Sequence, residues 1–161
     1  DNLLVPVRTL AAALGADVAW DPIGNNVVLT AGTGPITAGS IAYQEDVVYW
    51  LSHIINAEAG NQPLDGKIAV GNVVLNRVSS SRFPNTVYEV IFQRGQFTPV
   101  SNGSINLIPN EQSIVAAKLC LDGANTVGNA LYFINPRYSP NSWAARNRPY
   151  VATIGAHAFY A

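Results

Sequence analysis

Two periodicities alternate along this chain, and the places where one yields to the other mark its elements. Val5-Pro6-Val7-Arg8-Thr9-Leu10 leads into an Ala/Leu stretch that predicts a helix, stopped at Gly15 in the position of a helix-terminating glycine. Asp17-Val18-Ala19-Trp20 then alternates with period two and predicts a strand. Asp21-Pro22-Ile23-Gly24-Asn25-Asn26 predicts a turn, and Val27-Val28-Leu29-Thr30 a second strand. One helix and one hairpin bury little surface, so residues 1–31 read as the end of a larger unit or as a packing appendage. Residues 32–44, rich in Gly, Thr and Pro at their start, have no hydrophobic periodicity and read as a linker. The main domain is expected over residues 45–161.

That domain opens with Val47, Val48, Leu51, Ile54 and Ile55 at helical spacing. At ~100° per residue these positions form one stripe, with Asp46, Tyr49, Ser52, His53 and Asn56 on the other side. The same count puts Glu58 about 20° from Val47, inside the apolar stripe. After Ala59-Gly60 and Asn61-Gln62-Pro63, the stretch from Lys67 to Val78 is apolar almost all round, the pattern of a buried central helix. Asn72 and Asn76 share one strip of it, four residues apart; bonding to neighbouring backbone is the expected role, with orientation of Glu58 or of a sugar as the other. Thr86-Val87-Tyr88-Glu89 is a capping-box pattern opening a short helix that ends at Gly95. Gln96 to Val100 and Ser104 to Ile108 flank Asn102-Gly103 and predict a hairpin. Asn110-Glu111 caps a helix through Leu121, closed by Gly123. From Leu131 the chain is aromatic and rich in Asn and Pro, predicting irregular structure with a short strand near Val151 to Ile154.

Composition narrows the chemistry. Charged residues make up 12% of the chain and hydrophobic ones 48%, against the ~25% charge of an average globular protein, which excludes a disordered charged tail. A net charge of −1 gives no basic patch for nucleic acid. No apolar run approaches the roughly 20 residues of a membrane span. One cysteine excludes an internal disulfide, and one Cys with two His makes no ordinary zinc site, so no cofactor or metal is expected. The chain opens on Asp1-Asn2 without Met, which reads as trimming.

With so few acids, each can be assigned a role. Glu45, Asp46, Asp65 and Glu111 fall in first turns, where the helix dipole favours negative charge, and Glu89 belongs to its capping box. Asp122 sits beside a helix-ending glycine, and Asp17 and Asp21 belong to the front segment. Glu58 has no such role: it lies in a last turn, on the buried face. Desolvation and the helix C-terminus both raise a carboxyl pKa there, the property of a general acid at neutral pH. The competing roles are an ion pair with Arg77 or Lys67, or a helix end bent into solvent. Glycoside hydrolysis usually takes two carboxyls. No second acid is free of a structural role here, so a single acid/base acting on a substrate that carries its own nucleophile fits better. The C6 hydroxyl of muramic acid is such a nucleophile. His53 and His157 lack zinc spacing, Cys120 reads as core, and Phe97, Tyr132, Phe133, Tyr138, Trp143 and Tyr150 are candidates to line a sugar groove.

The segments Ile54-Ile55-Asn56-Ala57-Glu58-Ala59-Gly60, Gly66 to Val78, Phe83-Pro84, Gly95-Gln96-Phe97, Ala130 to Pro136 and Ile154 to Tyr160 closely resemble the SleB-type cell-wall hydrolases, the spore cortex-lytic enzymes and their vegetative relatives. The resemblance runs from about Val47 to the C-terminus. It implies a mainly helical, α+β fold of the lysozyme-like lytic-transglycosylase type. It also implies action as a monomer on peptidoglycan glycan strands, outside the cytoplasm of a bacterium, secreted or bound to wall or cortex. The family's catalytic acid/base maps onto Glu58, with Gln96, Phe97, Tyr132 and Asn135 as substrate-binding positions. Val5 to Thr30 resembles the C-terminal part of a copper amine oxidase-like N-terminal domain, a stalk module, with no His or Cys to bind copper. The reading is a lytic transglycosylase forming a 1,6-anhydro product; its alternatives are a hydrolytic muramidase and a catalytically silent glycan-binding module.

Overall fold

The computed structural model describes residues 7–13, 15–21, 26–31 and 43–161. The lead-in at Val5-Pro6, residues 22–25 of the predicted turn and linker residues 32–42 lie outside the described residues. The chain divides into two compact units, residues 1–44 and 45–161.

In the first unit, helix α1 (Val7–Ala13) is followed by strands β1 (Ala16–Asp21) and β2 (Asn26–Ala31). Gly15 takes a φ of 63°, the left-handed conformation predicted for a helix-ending glycine. The strands pair antiparallel, with Ala16 opposite Ala31 and Asp21 opposite Asn26.

The second unit is built on three helices: α2 (Glu45–Ala59), α3 (Leu64–Val78) and α6 (Glu111–Leu121), packed against one another. Leu51, Ile54, Ile55 and Ala59 of α2, Ile68 to Val70 with Val73 and Val74 of α3, and Ala116, Ala117 and Cys120 of α6 form the core. α3 is buried without a break from Gly66 to Val74, as its all-round apolarity predicts. Close approach of the three helices is possible because residue 71 has no side chain. A Cβ on Gly71 would lie 2.7 Å from Cys120 Sγ and 2.9 Å from Ile55 Cδ1. α2 buries more than the predicted stripe. Ser52 and His53, placed by the wheel on the polar side, are also buried. His53 Nδ1 lies 2.7 Å from the Ile105 carbonyl, so a chain segment from another part of the domain covers that face.

Short helices α4 (Val87–Phe92) and α5 (Thr98–Asn102) follow. Thr86 caps α4 as expected, accepting from Glu89 N–H at 3.2 Å and donating to the Glu89 carboxylate at 2.9 Å. The hairpin predicted around Asn102-Gly103 does not form. α5 occupies its first arm and a 3-10 turn (Ser104–Asn106) its second. Pro99 in the first turn favours a helix, and Gly103 (φ 80°) serves as its left-handed C-cap instead of a strand turn. Asn110 caps α6 by accepting from Ser113 N–H at 2.9 Å, and Gly123 (φ 96°) closes it.

The C-terminal stretch is more regular than its composition predicts. β3 (Tyr132–Ile134), β4 (Tyr150–Ile154) and β5 (His157–Tyr160) form an antiparallel sheet in the order β3-β5-β4, with α7 (Trp143–Asn147) between β3 and β4 in sequence. Phe133 pairs with Phe159, and Ile154 with His157 across the tight β4–β5 hairpin.

Gly71→Ala is expected to destabilise the domain by ~1–3 kcal/mol despite the better helix propensity of alanine, because the methyl overpacks the α2–α3–α6 contact. Urea unfolding checks this. In the double variant with Cys120→Ala the loss should be smaller than the sum of the two single losses, since removing the sulfur makes room for the methyl.

Candidate active site

Three side chains of α3, Asn72 and Asn76 on one strip and Arg77 about 100° round from Asn76, place the wall of the site. Asn72 donates to the Ala124 carbonyl (2.7 Å) and accepts from Thr126 N–H (3.0 Å). Asn76 donates to the carbonyls of Gly128 (2.8 Å) and Ala130 (2.9 Å), and Arg77 Nε to that of Leu131 (2.8 Å). These bonds deliver the chain into β3 beside α3, and they give the two asparagines the backbone-bonding role.

The last turn of α2 is held as firmly. Asn56 Oδ1 accepts from Asn110 N–H at 3.1 Å, and Asn110 Nδ2 donates to the Gly60 carbonyl at 3.1 Å. Gln62 Oε1 accepts from Ala156 N–H at 2.8 Å, tying the α2–α3 connection to the β4–β5 turn. Residue 155 must be glycine there: its φ is 58°, and a Cβ would collide with Gln62 Oε1.

Between these clamps Glu58 lines two cavities of about 690 and 270 Å³. The larger runs past Ala57, Asn61 and Gln62 to Arg137 and Thr153. The smaller runs past Arg77, Gln96 and Phe133 to Ser139 and Ser142. Glu58, Asn135, Tyr138 and His157 line both, so together they form a continuous groove with the carboxyl at its waist.

Burial pushes the Glu58 carboxyl up to about 7, so at neutral pH it is protonated about half the time. Neither proposed ion-pair partner reaches it. Lys67 Nζ donates to the Gln62 carbonyl and to Gln112 Oε1. The Arg77 guanidinium sits 5.0–5.7 Å from the ring centres of Phe83, Phe97 and Tyr132, and burial lowers its pKa to about 10. Among the described residues no other Asp or Glu lines either cavity, and none gather with His or Cys in a cluster of three that could hold a metal.

Of the residues singled out from the sequence, Glu58, Gln96 and Asn135 come together at the groove. Two others take different places. Phe97 is 5% exposed and belongs to the core; it borders the smaller cavity but is held beneath Arg77 and against Phe133, so it offers no open face to a sugar. Tyr132 lines neither cavity: alternation along β3 turns it away from Phe133, toward Phe83, Trp143 and Arg148. Tyr138, one of the broader set of aromatics, is 76% exposed and borders both cavities. His157 is the residue that sequence reasoning passed over. It is buried, its desolvation lowers its pKa and keeps it neutral, and it packs edge-on against Phe133 at 5.3 Å. Its spacing from Glu58 of nearly one hundred positions carries no periodic signal.

The Cell Wall Hydrolase family pattern matches residues 61–160. The spore cortex-lytic enzyme of Bacillus cereus is 38% identical over 117 residues, covering 73% of this chain and 45% of that protein. That of Oceanobacillus iheyensis is 35% identical over 136 residues, covering 84% and 49%. The chain spans about half the length of the curated relatives it matches. The solved catalytic domain of the germination-specific lytic transglycosylase SleB from Bacillus anthracis superposes with a TM-score of 0.69 at 37% identity, covering 75% of this chain and 98% of that one. The mixed α+β architecture described above is the fold of that domain.

The raised Glu58 pKa links proton uptake to folding. The unfolded carboxyl titrates near 4.5 and the folded one near 7, so the folded state binds the extra proton between those values. Relative to Glu58→Gln, the stability of the natural chain should fall as pH rises from 4.5 to 7, by up to about 3 kcal/mol, and level off above. Paired urea titrations from pH 4 to 8 measure the difference. A paired, ionised Glu58 would give the opposite slope.

Proposed function

This chain belongs to the cell wall hydrolase family, and on that footing we propose that it is a lytic transglycosylase cleaving the β-1,4 bond between N-acetylmuramic acid and N-acetylglucosamine in peptidoglycan. The observation that carries the reading is a single carboxyl, raised to about 7, at the waist of a groove lined by no second acid among the described residues. Glu58 gives its proton to the glycosidic oxygen as the C1–O bond breaks. The resulting carboxylate takes the proton of the sugar's own C6 hydroxyl, whose oxygen closes on C1 to form the 1,6-anhydro ring. Proton and bond balance are complete without water, so the paired carboxyls of a two-acid hydrolase, ~5–9.5 Å apart, are not required. Asn135 and Gln96 offer amide groups to the sugar, and the exposed Tyr138 ring offers the stacking face.

The domain from residue 45 to 161 carries this activity, as a monomer, outside the cytoplasm on wall or cortex. Residues 1–31, with their helix and hairpin, are the C-terminal part of a stalk module, joined through residues 32–44.

Four measurements test the reading. Mass spectrometry of digested glycan strands should find products lighter by one water than reducing-end fragments; reducing ends alone would make the enzyme a muramidase. Glu58→Gln should lose on the order of 10²–10⁴-fold in turnover of labelled sacculi while still binding them. A fully active Gln variant would refute the role, and binding without dye release by the natural chain would make it a glycan-binding module. The rate should fall above about pH 7, where Glu58 gives up its proton. Tyr138→Ala should raise KM roughly tenfold, the equivalent of ~1.4 kcal/mol, with kcat nearly unchanged.

A further inference from the structure

Lys67 is 1% exposed, in a helix whose next residues, Ile68, Ala69 and Val70, belong to the core. It also sits near the N-terminus of α3, the end where the helix dipole disfavours a cation. Both its acceptors are uncharged: the Gln62 carbonyl at 2.5 Å and Gln112 Oε1, in the first turn of α6, at 3.4 Å. A buried ammonium held this way has lost its hydration without gaining a counter-ion, and a hydrocarbon side chain of similar length would serve the core as well or better. Packing therefore does not account for a lysine at this position. What it holds does.

Gln62 is gripped from every side. Its backbone carbonyl is bonded by Lys67, its Nε2 donates to Asn61 Oδ1 at 2.8 Å, and its Oε1 accepts from Ala156 N–H at 2.8 Å. Two glycines make room for it: a Cβ on Gly66 would lie 3.2 Å from Gln62 Cβ, and one on Gly155 would collide with Gln62 Oε1. Asn61, Gln62, Ala156 and His157 all line the 690 Å³ cavity that Glu58 borders. His157 follows Ala156 directly and opens β5, so the bond that fixes the turn also fixes where that strand enters the groove. Lys67 itself lines neither cavity. Its reach into the site runs only through Gln62.

We infer that Lys67 is a positioning residue for the reaction: its buried ammonium ties the Gln62 backbone to the α3–α6 core, and Gln62 in turn ties down the β4–β5 turn, setting the width of the larger cavity beside Glu58. The inference rests on the reading of Glu58 as the catalytic acid. It explains why a cation is kept where neither burial nor the helix dipole favours one. Slackening this tie shifts the cavity wall, and a bound strand with it, relative to a proton donor that stays in place on α2. That is a loss of alignment, which lowers kcat more than it raises KM.

The test compares the natural chain with Lys67→Met in stability, turnover and amide exchange. The urea midpoint of Lys67→Met should stay near the natural value or rise, because a buried charge gives way to a hydrocarbon of similar size. Its kcat on labelled sacculi should nonetheless fall on the order of 10–100-fold, with KM within about threefold. Exchange of the Ala156 amide, followed by NMR, should quicken roughly tenfold while core amides of α3 such as Val73 stay protected. Lys67→Gln, uncharged and one bond shorter but still a donor, should fall between the two chains in both kcat and Ala156 exchange. In a Gln62→Met background, where the bond to Ala156 is already gone, either Lys67 change should leave Ala156 exchange as it is. Natural kcat with natural Ala156 exchange in folded Lys67→Met overturns the inference, as does a midpoint that drops in step with activity, the mark of a purely structural role. If Lys67→Met does not fold, the same two readings on Lys67→Gln decide. The exchange data need no substrate: faster exchange in the variants of a chain that releases no label sinks the transglycosylase reading alone, and release with exchange indifferent to Lys67 sinks the positioning role alone.

Discussion

The hydrogen bonds from Asn72, Asn76 and Arg77 of α3 to the carbonyls of residues 124–131 are the constraint on which the site depends. An all-apolar central helix would pack as well, yet it would leave those carbonyls without partners where the chain turns under the domain. Asn72, Asn76 and Arg77 satisfy them and in doing so set where β3 begins. Once β3 is placed, its pairing with β5 sets His157, and the end of β3 sets Asn135. Both arrive at the groove beside Glu58 through backbone register, not through any direct bond to it.

The same arrangement controls the charges. Arg77 and Glu58 border one cavity, and a direct contact would ionise the carboxyl and hold its pKa low. The structure prevents this by fixing the guanidinium on the Leu131 carbonyl and among aromatic rings, so the acid meets burial without compensation and rises to about 7. His157 is neutralised by the same lack of water. The same burial thus shifts two titratable groups of the groove towards their neutral forms while one cation remains beside them.

Much of this architecture is legible along the chain because it depends on near neighbours. Helices α2, α3, α4 and α6 follow from spacing, and the Thr86 and Asn110 caps and the glycines at 15 and 123 lie where local rules put them, while α4 stops at Phe92, before the expected Gly95. The anomaly of Glu58, an acid in a last turn on an apolar face, is also a local fact. The failures have one source. Asn102-Gly103 suits a hairpin turn and a helix C-cap equally well, and Pro99 with the packing of Ile105 decides for the helix. His53 sits on the polar side of its wheel and is buried because a 3-10 turn from fifty residues away bonds to it. Tyr132 and Phe97 belong to the quoted family segments, but strand alternation and the Arg77 cage give them to packing.

By itself, then, the order of residues determined the helical elements, their caps, the central buried helix and the one acid whose position demands a functional account, because each depends on side chains within a turn or two. Tertiary structure alone decided the three-stranded sheet, the joining of Asn135, Tyr138 and His157 to Glu58, and the separation of Arg77 from the carboxyl. Those depend on which distant backbone carbonyls and rings a side chain meets, and residues fifty to one hundred positions apart leave no periodic trace of meeting.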